Sequence, residues 1–254
     1  MDRRNFIKKG LAAGILYALS SFGGSDNFAQ PAVNQVSPAQ TEKKEERVII
    51  KYAGEKKVKS VQDPAEIRIS KRGELEKSVE KKGGRDSLER ATGYKLMLPL
   101  DSFQDYLLGR FHNEGSQGDL WIYGEKPVRL TSSEDVREFA CIVPGEKDNF
   151  SVYWMEDSSG PALSNPDNHK QVYCESFKIK EGKPERTGRK VYVLPESMKG
   201  CDIAYDSGRK ELVLYLGSDG NTGVYVVPLS ELSKENPKMY QPIQTAEENT
   251  GVKK

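Results

Sequence analysis

The chain has 254 residues, of which 39 are Lys or Arg and 38 are Asp or Glu, so its formal net charge is only +1. Binding of nucleic acid depends on an excess of basic residues facing the phosphates, and this near balance argues against that class of function. The only long apolar run lies at the N-terminus, which argues against an internal membrane span. Three Cys and two His are too few for a scaffold built on disulfides or for a histidine-rich metal site.

Residues 1–32 follow the order of an export signal: a basic head, an apolar core and an exit with small residues. The core, residues 10–22 (GLAAGILYALSSF), is too short to span a bilayer comfortably. The head resembles the twin-arginine export signal, with Asp2 where Ser or Thr is commoner. The residues that match are Arg3, Arg4, Phe6, Ile7 and Lys8. This resemblance implies export of a folded protein to the periplasm, the cell envelope or the exterior; an ordinary secretory signal is the alternative. Only an uncleaved signal would attach the protein to a membrane.

The next two segments are polar. Residues 29–41 (AQPAVNQVSPAQT) are a stretch of Pro, Gln and Ala without a regular period, and we interpret residues 33–47 as a flexible tether. Residues 48–91 are dominated by charge, which argues against a core of their own. Their apolar islands at 48–50 (VII) and 67–69 (IRI) are candidate edge strands, and residues 74–82 (ELEKSVEKK) suggest a short solvated helix or loop.

Residues 92–232 have a different character, with short runs of β-type residues separated by turn residues. Apolar positions alternate at residues 96–98 (LML), 150–154 (FSVYW) and 212–216 (LVLYL), and no segment keeps a helical period for a dozen residues. The pattern predicts an all-β body. Residues 233–254 are polar and contain Pro237, Pro242 and Gly251, so we expect a loose, disordered tail.

A repeat runs through the β body. Residues 120–123 (LWIY), 172–175 (VYCE) and 224–227 (VYVV) begin 52 residues apart in both intervals. Residues 128–145 align on 191–208 at an offset of 63, and 151–157 align on 213–219 at an offset of 62. A longer polar hairpin, residues 177–190, accounts for the difference between these offsets. Recurrence at a fixed period indicates stacked, equivalent structural units.

These units resemble the propeller repeats of the TolB-like, WD40-related type. The match covers about residues 106–229 and is carried by residues 119–123 (DLWIY), 129–131 (RLT), 143–147 (VPGEK), 152–154 (VYW) and 206–210 (DSGRK). It departs from the family pattern where no Asp stands between Pro144 and Gly145. The resemblance implies four-stranded antiparallel blades around an axis. Residues 48–232 have the length of four blades of about 46 residues. We therefore expect a small or incomplete β-propeller, in which 48–91 is a degenerate first blade; a β-sandwich is the alternative.

Few residues suggest chemistry. His112 and His169 lie in links between repeats, where the loops of a propeller carry function, but no metal-ligand spacing surrounds them. Cys141, Cys174 and Cys201 leave one thiol unpaired whatever their pairing, and the sequence supplies no neighbouring base that would activate a cysteine. We expect no metal and no cofactor.

Aromatic residues concentrate in the repeats: Trp121, Tyr123, Tyr153, Trp154, Tyr173, Tyr192, Tyr205, Tyr215 and Tyr225. Strand alternation predicts that about half of them pack between sheets and half face solvent. An exposed subset would mark a surface that binds protein or carbohydrate. Trp121 and Trp154, together with His112 and His169, are the candidate ligand-binding residues.

The signal, the repeats and the lack of a catalytic motif predict an exported, non-catalytic binding or scaffolding module with a protein or glycan partner. The alternative is an exported hydrolase or lyase that acts on a polysaccharide through paired carboxylates such as Glu156, Asp157 and Asp219. A structural role at the cell envelope, with the uncleaved signal as an anchor, is the third hypothesis.

Overall fold

The computed structural model describes residues 46–58, 60–112, 118–131, 136–157, 171–218 and 221–244, all within one compact unit. The strands are β1 Glu46–Ile49, β2 Lys51–Val58, β3 Lys95–Phe103, β4 Tyr106–His112, β5 Asp119–Tyr123, β6 Val128–Arg129, β7 Val136–Pro144, β8 Asn149–Asp157, β9 Gln171–Lys180, β10 Lys183–Val193, β11 Lys199–Asp206, β12 Glu211–Ser218, β13 Asn221–Pro228 and β14 Lys238–Gln244. The helices are α1 Pro64–Lys81, α2 Arg85–Thr92 and α3 Leu229–Leu232. The prediction of an all-β body is confirmed. Across the described ranges, no helix combines the length and the apolar character needed to cross a membrane.

Three sheets contain these strands, and each is built on a meander of four consecutive strands. Sheet I consists of β3, β4, β5 and β6; sheet II of β7 to β10; and sheet III of β11 to β14. Neighbouring strands within each meander pair antiparallel. Strands β1 and β2 add in parallel to the outer edges, β1 on β10 and β2 on β14.

The N-terminal segment 46–58, which we call the belt, joins sheets II and III. Its two strands are separated only by Ile50, whose amide donates to the carbonyl of Val193 at 2.9 Å. The next amide, of Lys51, donates to the carbonyl of Pro237 at 2.9 Å. Because Glu46 already lies in β1, the expected tether ends before that residue. The export-signal residues Arg3, Arg4, Phe6, Ile7 and Lys8 lie outside the described ranges.

The recurrence in the sequence marks equivalent positions in the three sheets. Leu120, Val172 and Val224 lie in β5, β9 and β13, each the third strand of its meander. The offsets of 63 and 62 superpose the first strand β7 on β11 and the second strand β8 on β12. A sequence unit that begins at a third strand therefore spans two sheets. The long hairpin after Phe177 is a paired ladder of β9 and β10 up to Lys180 and Lys183.

Sheet II lies between the other two sheets and packs against both. The core between sheets I and II contains Leu100, Tyr106, Leu108, Leu120, Ile122, Ala140, Ile142, Phe150, Val152, Trp154, Tyr173, Phe177 and Val191. The core between sheets II and III contains Cys141, Val143, Tyr153, Met155, Val172, Cys174, Tyr192, Ile203, Tyr205, Leu212, Leu214, Leu216, Tyr225, Val227 and Met239. Both faces of sheet II are thus buried by apolar contact, the main source of stability in such a layered fold.

Helices pack on the remaining face of sheet I and on part of the remaining face of sheet III. Leu75 and Val79 of α1 pack on sheet I at Leu107 and Phe111. One end of the same helix reaches sheet III, where Ile67 is buried on Ala204, Val213 and Val226. Helix α1 therefore contacts both sheet I and sheet III, the two sheets that flank sheet II.

Helix α1 corrects the expectation of a strand at residues 67–69. Asp63 caps α1 through the Glu66 amide, and the Glu66 side chain accepts from the Asp63 amide, which is a complete capping box. Pro64 follows at the first helical position. Ile67 belongs to a helical stripe with Leu75, whereas Ile69 is 71% exposed. The expected helix over 74–82 is part of α1, and residues 48–91 form no four-stranded blade.

The expectation of a loose tail is wrong for residues 238–244. Strand β14 pairs with β13 on one side and with β2 on the other, and Met239 is completely buried. Pro237 and Pro242 indicated a tail, but the partner β2 lies near the opposite end of the sequence, so no local pattern reveals the pairing. Residues 245–254 lie outside the described ranges.

Candidate functional site

The first strands of the three sheets converge on helix α1. The carboxylate of Asp101 in β3 accepts a hydrogen bond from the Ile142 amide of β7 at 3.0 Å, and Lys71 Nζ lies 3.3 Å from both of its oxygens. One turn earlier, Arg68 binds the Asp202 carboxylate of β11, with Nη1 2.6 Å from Oδ1. We call Arg68, Lys71, Asp101 and Asp202 the axial charge cluster.

Aromatic rings of the first strands surround this cluster. The Arg68 guanidinium lies 4.2 Å from the ring centre of Phe139 in β7, and Lys71 Nζ lies 6.0 Å from the ring centre of Tyr205 in β11. Phe139 and Asp202 differ by 63 residues, the offset of the repeat, and both contact Arg68. The cluster therefore links the first strands of all three sheets to α1, and the contacts from β7 and β11 come from equivalent positions of the repeat.

The electrostatics of the cluster favour a structural role. Burial raises the pKa of Asp101 and of Asp202, and the neighbouring cations offset only part of this effect. Asp101 also accepts from the Ser102 amide at 2.9 Å, and Asp202 from the Ile203 amide at 2.6 Å. Since both carboxylates are held by several donors, they fix α1 between sheets I and III rather than exchange protons with a substrate.

The raised pKa of Asp202 predicts a pH dependence of stability. The folded chain binds this proton more tightly than the unfolded chain, so the stabilising contribution is present below the unfolded pKa and is lost as the pH rises through the folded pKa. We expect the free energy of unfolding of the wild type, minus that of Asp202→Asn, to decrease between about pH 3 and pH 7 in urea titrations.

Asp105 is the matched control with the opposite sign. Its exposed carboxylate lies 2.5 Å from Lys81 Nζ, and this hydrogen bond lowers its pKa, so its contribution is present above the unfolded pKa and is lost as the pH falls. The same difference for Asp105→Asn should increase over that range. An increase for Asp202→Asn would show that the Arg68 pair outweighs burial.

The two predicted ligand-binding tryptophans, Trp121 and Trp154, lie in different cores. Trp154 is 1% exposed and stacks on Tyr173 between sheets I and II, with ring centres 5.5 Å apart and planes at 14°. Trp121 is 7% exposed and packs between sheet I and the helices beside Tyr94. Neither indole offers a face to a ligand, so the prediction is wrong for both. His112 is half-buried at the end of β4, and His169 lies outside the described ranges.

The expectation that about half of the aromatic residues of the repeats face solvent is wrong, because both faces of these sheets are largely covered. Trp121 and Ile122 are successive residues of β5, and both are buried, because α1 covers one face of sheet I and sheet II covers the other. An aromatic residue on either face therefore joins a core. Of the carboxylates proposed for catalysis, Asp219 lies outside the described ranges, as do the side chains of Glu156 and Asp157.

One of the repeat motifs, residues 119–131, has a local structural role. Asp119 is fully buried, and its carboxylate accepts from Arg129 at 2.6 Å and from the Thr131 hydroxyl at 3.2 Å. The same hydroxyl oxygen accepts from the Leu120 amide at 2.9 Å. This network ties β5 to β6, which explains why the motif contains Asp, Arg and Thr at these positions without a ligand.

Cys141 and Cys174 are free, buried thiols on one row of sheet II. Tyr153 of β8 pairs with both, so the two cysteines are two strand spacings apart, about 9–10 Å. That separation is too long for a disulfide, which needs Cα atoms within about 7 Å. Burial raises the pKa of Cys174 to about 11 and raises the pKa of Cys141 well above its usual value.

These shifts predict thiols that do not react in the folded protein. In a Cys201→Ser background, we expect no labelling by a disulfide reagent at about pH 8, because the thiolate is the reactive species and both thiols stay protonated and covered. Both Cys141 and Cys174 should react once denaturant unfolds the chain. Absorbance of the released thiolate measures the number of labelled sites. Labelling of one site before unfolding would contradict the burial of that residue.

A shallow depression on the helical layer has a volume of about 380 Å³ and is lined by Asp86, Glu89, Arg90, Gly93, Tyr94 and Lys95. Glu89 is engaged by the Leu96 amide at 3.3 Å. Side chains of both signs dominate the rim, and the ring of Tyr94 is already in contact with Trp121 and with the guanidinium of Arg129. The depression therefore offers little apolar floor to a ligand.

The outer face of sheet III is only partly covered and adjoins the axial charge cluster. In the register of the sheet, Asp202 of β11 pairs with Tyr215 of β12, which pairs with Val224 of β13. Tyr240 of β14 lies on the same face beside them, because it packs on the cluster around Ile67 together with Val224. We call Tyr215, Val224 and Tyr240, all half-buried, the open face.

Polar groups border the open face. The Tyr215 hydroxyl donates to Thr222 Oγ1 at 2.9 Å, and Thr222 is exposed. Lys56 Nζ lies 5.7 Å from the ring centre of Tyr240 and 3.0 Å from the carboxylate of Glu211. The arrangement presents aromatic and aliphatic surface flanked by hydroxyl groups, next to an ion pair that retains some exposure. It suits binding of a ligand with both apolar and polar groups.

Within the described ranges, no group of three His, Cys, Asp or Glu residues is placed to hold a metal ion. No protein-family model matches the chain, and no curated protein matches it significantly.

Proposed function

We propose that the protein is an exported, non-catalytic binding module of the propeller-repeat type, and that it binds its ligand through the open face of sheet III. The propeller interpretation is supported by three four-stranded meanders whose first strands converge on one centre. In this interpretation α1 and α2 take the place of a fourth blade. The ring is then completed by a helical layer, and the axial charge cluster fixes that layer to the first strands.

The observation that carries the binding role is the partial exposure of Tyr215 and Tyr240 beside the axial charge cluster. In the cores of sheets II and III, the tyrosines Tyr153, Tyr173, Tyr192, Tyr205 and Tyr225 are buried. Tyr215 and Tyr240 differ because Ile67 covers only part of the outer face of sheet III. Aromatic side chains that remain partly accessible at the surface favour recognition of a partner.

Export rests on the basic head and apolar core of residues 1–32. The full chain, expressed with a C-terminal tag in cells that possess the twin-arginine system, should appear outside the cytoplasm. Replacement of Arg3 and Arg4 together by Lys should keep it inside if that system exports it. Export of this double variant through the general secretory system would overturn the route but not the destination. Retention of the wild type in the cytoplasm would overturn export.

Binding is tested with the cell-envelope fraction of the producing cells. We expect the purified full chain to sediment with this material and Tyr215→Ser to lose at least tenfold in affinity. Tyr52→Ser is the matched control, since Tyr52 is 43% exposed but lies in the belt against Tyr225, on the other side of sheet III. Equal affinity of the wild type and Tyr215→Ser would contradict the open face as the binding site, and polysaccharide turnover by the purified chain would contradict a non-catalytic role.

A further inference from the structure

We propose that the open face binds a neutral sugar chain, whose rings stack on Tyr215 and Tyr240. This inference rests on the binding role proposed above and names the class of ligand. A protein and a glycan are both consistent with that role, but they need binding sites that differ in area, geometry and charge. The area, polar groups and charges of the open face fit a glycan.

The available area is too small for a protein partner. A stable protein interface buries about 800 Å² on each partner. The open face consists of three half-buried side chains. A tyrosine side chain buries at most about 200 Å² when fully covered. Because all three side chains of the open face are already half-buried, the area that they still expose together is on the order of 150 Å². That area accommodates one or two sugar rings, whose apolar C–H faces pack on aromatic rings.

The polar groups on the border match the hydroxyl groups of a sugar. Thr222 Oγ1 accepts from Tyr215 and, being exposed, can still donate its own proton to a ligand. At the other end of the row, Asp202 and Arg68 form an ion pair whose side chains are 14% and 17% exposed. A carboxylate beside a guanidinium presents both acceptors and donors, which suits vicinal hydroxyl groups, each of which donates and accepts.

The charges on the border favour a neutral ligand over an acidic one. Lys56 is paired with the buried carboxylate of Glu211, and Arg68 is paired with Asp202. An anionic sugar would therefore meet two cations that are already neutralised, and it would lie close to two carboxylates. Neither cation is available to compensate the desolvation of a ligand charge.

The experiment uses the full chain and the envelope material of the producing cells, treated in three ways. Sedimentation should survive digestion of the material by protease and should be lost after periodate, which cleaves vicinal diols of sugars. It should change less than twofold between about 50 and 500 mM NaCl, because no net charge pair forms with the ligand. Tyr215→Phe should bind within threefold of the wild type, since the ring is retained, whereas Tyr215→Ala should lose at least tenfold.

The outcomes separate this inference from the proposed function. Loss of sedimentation after protease, or strong weakening by salt, combined with sensitivity to Tyr215→Ala, would overturn the neutral sugar but leave the open face as a binding site. Insensitivity to Tyr215→Ala would overturn both. Thermal unfolding of each variant, followed by circular dichroism, distinguishes a lost contact from a misfolded chain, and a midpoint within a few degrees of the wild type is expected because Tyr215 is half-buried.

Discussion

Replacing Ile50 by Ala is expected to reduce the free energy of unfolding by about 2–5 kcal/mol, the cost of truncating a buried aliphatic side chain. Ile50 is 2% exposed and packs in the core between sheets II and III, at the point where the belt passes from one sheet to the other. Its loss would leave a cavity where the two sheets and the belt meet. Since folded domains are stable by only about 5–15 kcal/mol, the effect is a large fraction of the total.

The neighbouring residue provides the control for this experiment. Ile49 is 61% exposed, so Ile49→Ala should change the free energy of unfolding by no more than about 0.5 kcal/mol. Both variants remove the same atoms from adjacent positions of the belt, so they differ mainly in burial. Urea unfolding followed by tryptophan fluorescence measures both. Equal effects of the two substitutions would contradict the described path of the belt.

Replacing Trp154 by Ala is expected to cost about 3–5 kcal/mol of stability. The indole is 1% exposed, fills the core between sheets I and II, and stacks on Tyr173. An aromatic pair of this kind adds about 0.5–1.5 kcal/mol beyond the area that it buries. For a folded unit of this size the midpoint of thermal unfolding should fall by roughly 10 °C.

Trp154→Phe tests whether Trp154 contributes to ligand binding as well as to core packing. It keeps an aromatic ring beside Tyr173, so its loss of stability should be less than half that of Trp154→Ala. At a temperature where both variants are folded, sedimentation with envelope material should equal that of the wild type, because Trp154 does not reach the surface. A tenfold loss of binding by folded Trp154→Phe would return this residue to the set of ligand contacts.

The equivalence of the third strands of the three meanders was predictable, because a short local pattern of residues encodes each of them. Leu120, Val172 and Val224 recur at one period, and each lies in a third strand. Helix α1 was also locally encoded, by the capping box of Asp63 and Glu66 and the spacing from Ile67 to Leu75, but the density of charge around it obscured that signal. The belt and β14 were not predictable, since each depends on a partner far away in the sequence.

The axial charge cluster left one signal that sequence reasoning missed. Asp101 and Asp202 are acidic residues inside strands whose neighbours Leu100 and Ile203 are buried. An acidic residue within such a strand needs a partner from elsewhere, which points to a cation on another element. That the partners are Arg68 and Lys71 could not be predicted, because both belong to a run of mixed charge. The exposure of Tyr215 was equally hidden, since it depends on how far α1 extends over sheet III.

The belt also constrains when the chain can finish folding. Glu46 binds Lys190, which lies 144 residues later in the sequence, and Lys51 aligns with Lys238 of the last strand. During synthesis these amino-terminal strands are therefore made long before their partners. Strand β1 can pair as soon as β10 has emerged, but β2 remains unpaired and open to association with other chains until the ribosome has released β14. Contacts of such long range also slow folding, so we expect newly made chains to depend on chaperones that shield these edges until synthesis is complete.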